Sequence, residues 1–207
     1  VAIGLYEATG NSDYATFVAA HYLETGPMSR NWWGPYETPV QSALLRHAAQ
    51  PGVSPTVAAA IRNQKAGQTV FSITDLASDR DLYRAYMHED QYHWGSNTVR
   101  GHVGTINLDF VEYGINVAQA AAYREVAEAH LHWLHGANPL RKVMLSNMGP
   151  AGAEVSVDEI YHAWFDDGTV FDNVQTSPVG PAPGYVVGGP NKNYTGNVAG
   201  ITNQPVQ

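Results

Sequence analysis

Cysteine is missing from the chain altogether. There is therefore no disulfide framework and no thiolate metal site, and cysteine usage says nothing of the redox compartment. Charge is also scarce. Asp, Glu, Lys and Arg make up 14 % of the residues against 44 % hydrophobic ones, so much of the surface must be neutral and polar. The 11 Lys and Arg are outnumbered by 19 Asp and Glu, for a net charge of −8, and no basic run occurs. That balance argues against nucleic acid and against an anionic membrane surface as partners. No apolar run approaches the roughly 18 residues that a membrane helix requires, and the residues from Val1 do not read as a signal peptide. Internal repeats of fixed period and low-complexity tracts are missing too.

What is present is a chain of 207 residues, long enough for one domain with a substantial core. Apolar residues recur at helical spacing in several segments. Val1 to Ala8 reads as the last turns of a helix that stops near Gly10. Asn11 or Ser12 can cap a helix carrying Tyr14, Phe17, Val18 and His21 on one face, with Gly26-Pro27 as its stop. Tyr36 to Ala49 reads as a helix stopped by Pro51-Gly52. Ser54-Pro55, a cap followed by a first-turn proline, opens another that runs to about Ala66. Asp79 to Met87 has the pattern of a short helix.

Ser96 or Asn97 can cap a helix whose Val99, Val103, Ile106 and Phe110 fall on one face. Ala120 to His135 is the clearest helix, with Tyr123, Val126, Ala127, Leu131 and Leu134 on its apolar side. Gly136 and Pro139 punctuate its end. Val143 to Leu145 suits a short extended piece. Helix alternates with loop, and alternate loops are long and rich in aromatics. Such a pattern predicts an all-α fold of antiparallel helices, in a bundle, a solenoid or a helical barrel, with the long loops gathered at one end.

The longest aperiodic stretch runs from Asp158 to Asn191. Loops of this length are uncommon unless functional or disordered. Disorder favours high charge and few aromatics, whereas this stretch holds five aromatics among four Asp, one Glu and one His. It therefore reads as an ordered wall of a polar cleft lined with aromatic rings. Trp32, Trp33, Tyr92, Trp94, Tyr161, Trp164, Phe165 and Tyr185 all lie in loops. A sugar ring offers a flat C–H face to an indole while its hydroxyls seek Asp, Asn and His. The plainer alternative is that these rings plug the ends of the helix layer.

Glu89-Asp90, Asp158-Glu159, Asp166-Asp167 and Asp172 stand in the same loops. Cleavage of a glycosidic bond takes two carboxyls facing one another across the sugar. Neighbours in sequence usually point apart, so loop capping, Asx-turns and calcium ligation are the competing roles. The nine histidines show no His-Glu-x-x-His pattern, and His130, His132 and His135 do not share a helix face. His162, between Tyr161 and Trp164, is the one that suits a cleft. Gly188-Gly189-Pro190-Asn191 precedes no helix and is no phosphate loop. Its glycines read as a tight turn, with Asn191 free to face a ligand.

Four stretches, Tyr-His-Trp-Gly-Ser-Asn at 92–97, HLHWLHGANPL at 130–140, VMLSNMG at 143–149 and PAPGYVVGGPN at 181–191, together resemble glycoside hydrolase family 9. This is the cellulase family with an (α/α)6 barrel. The stretches occur in the family's order and spacing, and the likeness spans nearly the whole chain. The run EIYHAWFDDGTVFDNVQTSPVGPAPG resembles the bacterial branch of cellobiohydrolases and endoglucanases joined to immunoglobulin-like modules.

The resemblance implies a partial (α/α)6 barrel and a role within an inverting β-1,4-glucanase, secreted and acting on cellulose, related β-glucans or cello-oligosaccharides. It matches His162 to a ring-binding His over the same subsite as Trp94, and the residues together give the substrate-binding set Trp94, His162, Tyr161, Trp164, Tyr92, Asp167 and Asn191. No cofactor is implied beyond a structural calcium. The sequence departs from the family where a Pro-His-His-Arg run is common: the corresponding region reads Ile160-Tyr161-His162-Ala163-Trp164, so no Arg follows His162. The catalytic base, in an Asp-Ala-Gly-Asp motif, and the catalytic acid Glu have no counterpart in these residues.

The expectation is therefore a fragment of one catalytic domain, truncated at both ends and short of both catalytic carboxylates. Its partner would be the rest of that domain or a second copy, docked on apolar faces such as that of Val99, Val103, Ile106 and Phe110. The competing expectation is a non-catalytic carbohydrate-binding or helical scaffold protein.

Overall fold

The computed structural model describes residues 1–74, 81–160 and 168–193. Helix dominates. The seven α-helices among the described residues are α1 (Ala2–Thr9), α2 (Ser12–His21), α3 (Gly26–Arg30), α4 (Thr38–Ala49), α5 (Pro55–Ala66), α6 (Ser96–Glu112) and α7 (Ala120–Leu134). Two short strands follow, β1 (Val143–Ser146) and β2 (Ser156–Val157). The chain forms two compact units, Val1–Ala77 with His102–Ala127, and Ser78–Gly101 with Glu128–Gln207. Two of the three boundaries fall inside α6 and α7.

The first unit is helical. α1 ends on Gly10, whose left-handed backbone (φ 66°) lets its N–H return to the Tyr6 carbonyl. The Asn11 side chain caps α2 by accepting from the Asp13 N–H at 2.9 Å. Gly26-Pro27 does not end that helix as expected. α2 gives way to a short 3-10 turn at Tyr22–Glu24, and Gly26-Pro27 opens α3. A proline in the first turn removes only an N–H that has no helical partner anyway.

The core joins Met28, Trp33, Leu44, Leu45, Val57, Ile61, Phe110, Ile115 and Tyr123. Trp33 is 1 % exposed and donates its indole N–H to Gln64. Its expected place among sugar-facing rings is therefore wrong; it is packing. Lys65 is fully buried beneath this layer. Its ammonium donates to the Ile106 carbonyl at 2.9 Å and lies 4.4 Å from the Phe110 ring centre. Burial pulls its pKa down to about 8, and burial pushes the nearby Asp109 up to about 6.

Val99, Val103, Ile106 and Phe110 are each at most 2 % exposed. The periodicity assigned that face correctly, but the expectation that it lies open is not met. On α7 the buried side chains include Tyr123, Ala127, His130, Trp133 and Leu134, while Leu131 is 51 % exposed. Leu131 was assigned to the wrong face.

The second unit is built of turns around a small apolar core of Ala85, Trp133, Leu134, Met144, Val157 and Val187. The short helix expected over 79–87 is missing from its described part. Instead the Asp81 carboxylate accepts from the Tyr83 and Ala85 N–H groups, and Arg84 takes a left-handed backbone. A side chain that satisfies local donors in this way competes with helix formation. β1 pairs with β2 in parallel, Val143 opposite Ser156 and Ser146 opposite Val157. Residues 184–187 run along β1 through the Leu145–Val186 bridge, with Ser146 N–H donating to the Tyr185 carbonyl and Val187 N–H to the Met144 carbonyl.

Candidate functional site

Several family-like motifs meet inside the second unit, and local chemistry explains why. Asn138 of the HGANPL run is 1 % exposed. Its amide donates to the Trp133 and Lys142 carbonyls at 2.7 and 2.8 Å, and its oxygen accepts from the Leu140 and Lys142 N–H groups. One side chain thus turns the end of α7 into β1. At the end of β1 the Ser146 hydroxyl donates to the Ala182 carbonyl at 2.6 Å. Asn147 donates to the carbonyls of Val179 and Pro181. The VMLSNMG run therefore holds the PAPG loop in place.

The Gly-Gly-Pro-Asn segment continues from there onto the head of α6. Asn97 N–H donates to the Gly188 carbonyl at 3.0 Å, and its side chain donates to the Val187 carbonyl at 2.9 Å. The Ser96 hydroxyl donates to the Pro190 carbonyl at 2.8 Å, and Lys192 N–H to the Tyr92 carbonyl at 2.9 Å. Gly189 has φ 96°, and a Cβ there would sit 2.5 Å from Ser96 Oγ. The expectation of a simple tight turn missed this: glycine is required because the loop backbone presses against the first turn of α6. Among the described residues the segment precedes no helix, yet it packs against the start of one in space.

Trp94 projects from the turn so fixed and is 71 % exposed. The adjacent His93 ring accepts from the Gly95 N–H at 3.1 Å, which tightens the turn. Tyr92 is half-buried; its hydroxyl accepts from Arg100 at 2.7 Å. Asn191 is half-buried, and its oxygen accepts from the Asn193 N–H at 2.9 Å. Tyr185 is 54 % exposed. Tyr161, His162, Trp164 and Asp167 lie outside the described residues, as do Phe165 and Asp166.

The described carboxylates mostly organise loops. Asp158 accepts from Gln175 at 2.8 Å and stands 3.8 Å from the Lys142 ammonium. Glu159 accepts from the Asn173 amide at 2.8 Å, and Asp172 from the Gly168 N–H at 2.7 Å. Asp90 bonds Gln91 and His88, which hold its carboxyl below the ordinary value, with Gln91 the larger effect. Glu89 is exposed, 3.8 Å from Lys192. A cleft of about 310 Å³ is lined by Asn147, Glu154, Ser156, Asp158, Ser177 and Pro178, among others. Among the described residues no group of three His, Asp or Glu side chains is placed to hold a metal.

Sequence reasoning missed a buried charge in this unit. Arg100 is fully buried. It donates to the Ala85 carbonyl and to the Tyr92 hydroxyl, both at 2.7 Å, and its guanidinium carbon lies 3.7 Å from the centre of the Trp133 ring. Burial lowers its pKa to about 10, so it stays charged at neutral pH. His130, 1 % exposed, has no hydrogen-bond partner on either ring nitrogen among the described residues. Burial, with Arg100 nearby, pushes its pKa down to about 3. The signal for Arg100 was present: an arginine next to Val99 on a face otherwise set by apolar spacing.

A family model for glycosyl hydrolase family 9 matches residues 1–203. No match to a curated protein or to a solved structure was found. The mostly helical architecture agrees with the (α/α)6 type of fold that the four motifs implied. With the match covering nearly every residue, and with those motifs bonded to one another around the head of α6, the chain belongs to glycosyl hydrolase family 9.

Proposed function

We propose that this chain forms substrate-binding surface of an inverting β-1,4-glucanase acting on cellulose or related β-glucans. The observation that carries the reading is Trp94: a large indole left 71 % exposed on a turn that hydrogen bonds fix on both sides. An exposed aromatic held this firmly is poorly explained by packing and well suited to the C–H face of a glucosyl ring. Tyr92 opens the same turn, and Asn191 lies in the segment bonded to it. Tyr161, His162, Trp164 and Asp167 would complete the surface, His162 by bonding a sugar hydroxyl. Cellulose does not cross membranes, so such an enzyme acts outside the cell.

Inverting hydrolysis needs one carboxylate to activate water and a carboxylic acid to protonate the leaving oxygen, about 6.5–9.5 Å apart. Asp158, Glu159 and Asp172 are engaged in holding loops. Asp109 has the raised pKa of a general acid, about 6, but it is only 6 % exposed. The catalytic Asp and Glu are placed outside the 207 residues because no Asp-Ala-Gly-Asp run occurs among them. The purified 207-residue chain is then expected to show no measurable release of reducing sugar from cellulose beside an intact family member. Loss of a positioned acid or base lowers rates by orders of magnitude. Turnover by this chain alone, free of longer species, would contradict the assignment.

A further inference from the structure

We propose that Arg100 is a positioning residue: by gripping Tyr92 and the Ala85 carbonyl over the face of Trp133, it holds the Tyr92–Asn97 turn in the shape that presents Trp94 to a glucan. The inference rests on the reading of Trp94 as a sugar platform. Arg100 cannot touch sugar itself, since it has no exposed surface.

The turn is held at two ends. Ser96 and Asn97 fasten its far end to residues 187–190. Its near end depends on Tyr92, whose carbonyl accepts from Lys192 N–H and whose hydroxyl accepts from Arg100. Arg100 in turn is fixed from below by the Trp133 ring and from the side by the Ala85 carbonyl. A guanidinium can serve both acceptors and lie flat on an indole at once because it is planar and forked; an ammonium cannot. Trp94 stands two residues from Tyr92 and is otherwise largely in solvent. Its orientation before binding is thus set by the two ends of the turn. A turn already ordered binds more tightly than one that must be ordered on binding.

The test is a double-mutant cycle in the intact protein, read by titration calorimetry with a thio-linked cello-oligosaccharide that resists hydrolysis. Trp94→Ala is expected to weaken binding roughly five- to hundredfold. Arg100→Lys is expected to weaken it roughly three- to tenfold. In the Trp94→Ala background, Arg100→Lys should add less than about twofold, because the side chain it positions is gone. A purely structural role would lower the unfolding midpoint while leaving affinity intact, or would weaken binding equally in both backgrounds; either result overturns the proposal.

If Arg100→Lys shows no cooperative unfolding, Tyr92→Phe replaces it in the cycle. That change removes only the hydroxyl acceptor and keeps the ring, and it is expected to weaken binding roughly two- to tenfold in the parent alone. An unchanged affinity, or an equal loss in both backgrounds, again overturns the proposal. The two readings separate cleanly. Failure of the parent to bind the oligosaccharide removes the platform reading and this inference with it. Binding that responds to Trp94→Ala but not to Arg100→Lys or Tyr92→Phe removes this inference alone.

Discussion

His130 and Asp109 are buried titratable groups whose environments act in opposite directions. Folding holds His130 neutral down to about pH 3, against 6.5 for an unperturbed imidazole. As pH falls below 6.5 the unfolded chain takes up a proton that the folded chain refuses. The stability tied to His130 is therefore whole above pH 6.5 and is lost progressively towards pH 3. The shift corresponds to about 3–5 kcal/mol. Asp109 has the reverse sign: its folded pKa is raised from 3.8 to about 6. The stability tied to it is whole below pH 3.8 and declines as pH rises to 6.

His130→Leu, which removes two unpartnered buried nitrogens, should therefore be little worse than the parent at pH 7. At pH 4 it should be more stable than the parent by a few kcal/mol. Urea midpoints of the two proteins at the two pH values check this; an equal acid loss in both would show that His130 is not the group responsible. That His130 faces inward was hidden in the sequence, because a histidine beside Leu131 looks like the polar neighbour of an apolar one. Arg100, whose charge also lowers the His130 pKa, lies thirty residues away in sequence.

At the scale of elements, legibility followed the strength of the local period. The apolar face of α6 was readable, since Val99, Val103, Ile106 and Phe110 repeat without a break and all four are buried. α7 was placed correctly, but its inward face was misassigned at Leu131, because apolar spacing cannot choose between adjacent stripes when Trp133 and Leu131 compete. The two substitutions should differ accordingly. Phe110→Ala should destabilise by about 3–5 kcal/mol through the cavity it leaves, whereas Leu131→Ala should change stability by less than about 0.5 kcal/mol. Denaturant unfolding of both variants decides the matter, and a large loss at Leu131 would restore the original face.

The 79–87 segment was misjudged for another reason: the Asp81 side chain, not apolar spacing, sets its turn. Gly189 carries the same lesson. Its φ of 96° and its contact with Ser96 make it a close-approach position, which no local sequence rule distinguishes from an ordinary turn. Gly189→Ala should destabilise by about 1–3 kcal/mol, measured as a lowered unfolding midpoint. A neutral result would mean that the loop can withdraw from α6.

At the scale of the molecule, family membership was legible because short motifs with fixed roles survive in order. Asn138 turns the chain after α7, Ser146 and Asn147 hold the PAPG loop, and Gly189 seats the next segment on the head of α6. These are scaffold roles, and they hold the motifs together within one unit. The site was less legible. Trp33 and Trp94 both sit in aromatic loops, yet one is 1 % and the other 71 % exposed. Only the packing of elements remote in sequence separates them.

The account turns on Trp94 as a platform for a β-1,4-linked chain, and a titration of the protein with cellohexaose, followed by tryptophan fluorescence, tests it most directly. It predicts a saturable change with cellohexaose and none with maltohexaose. It also predicts that Trp94→Ala weakens cellohexaose binding by roughly 1–3 kcal/mol with no change in unfolding midpoint. Cellohexaose binding of equal strength in parent and Trp94→Ala, or no binding by the parent at all, would contradict it.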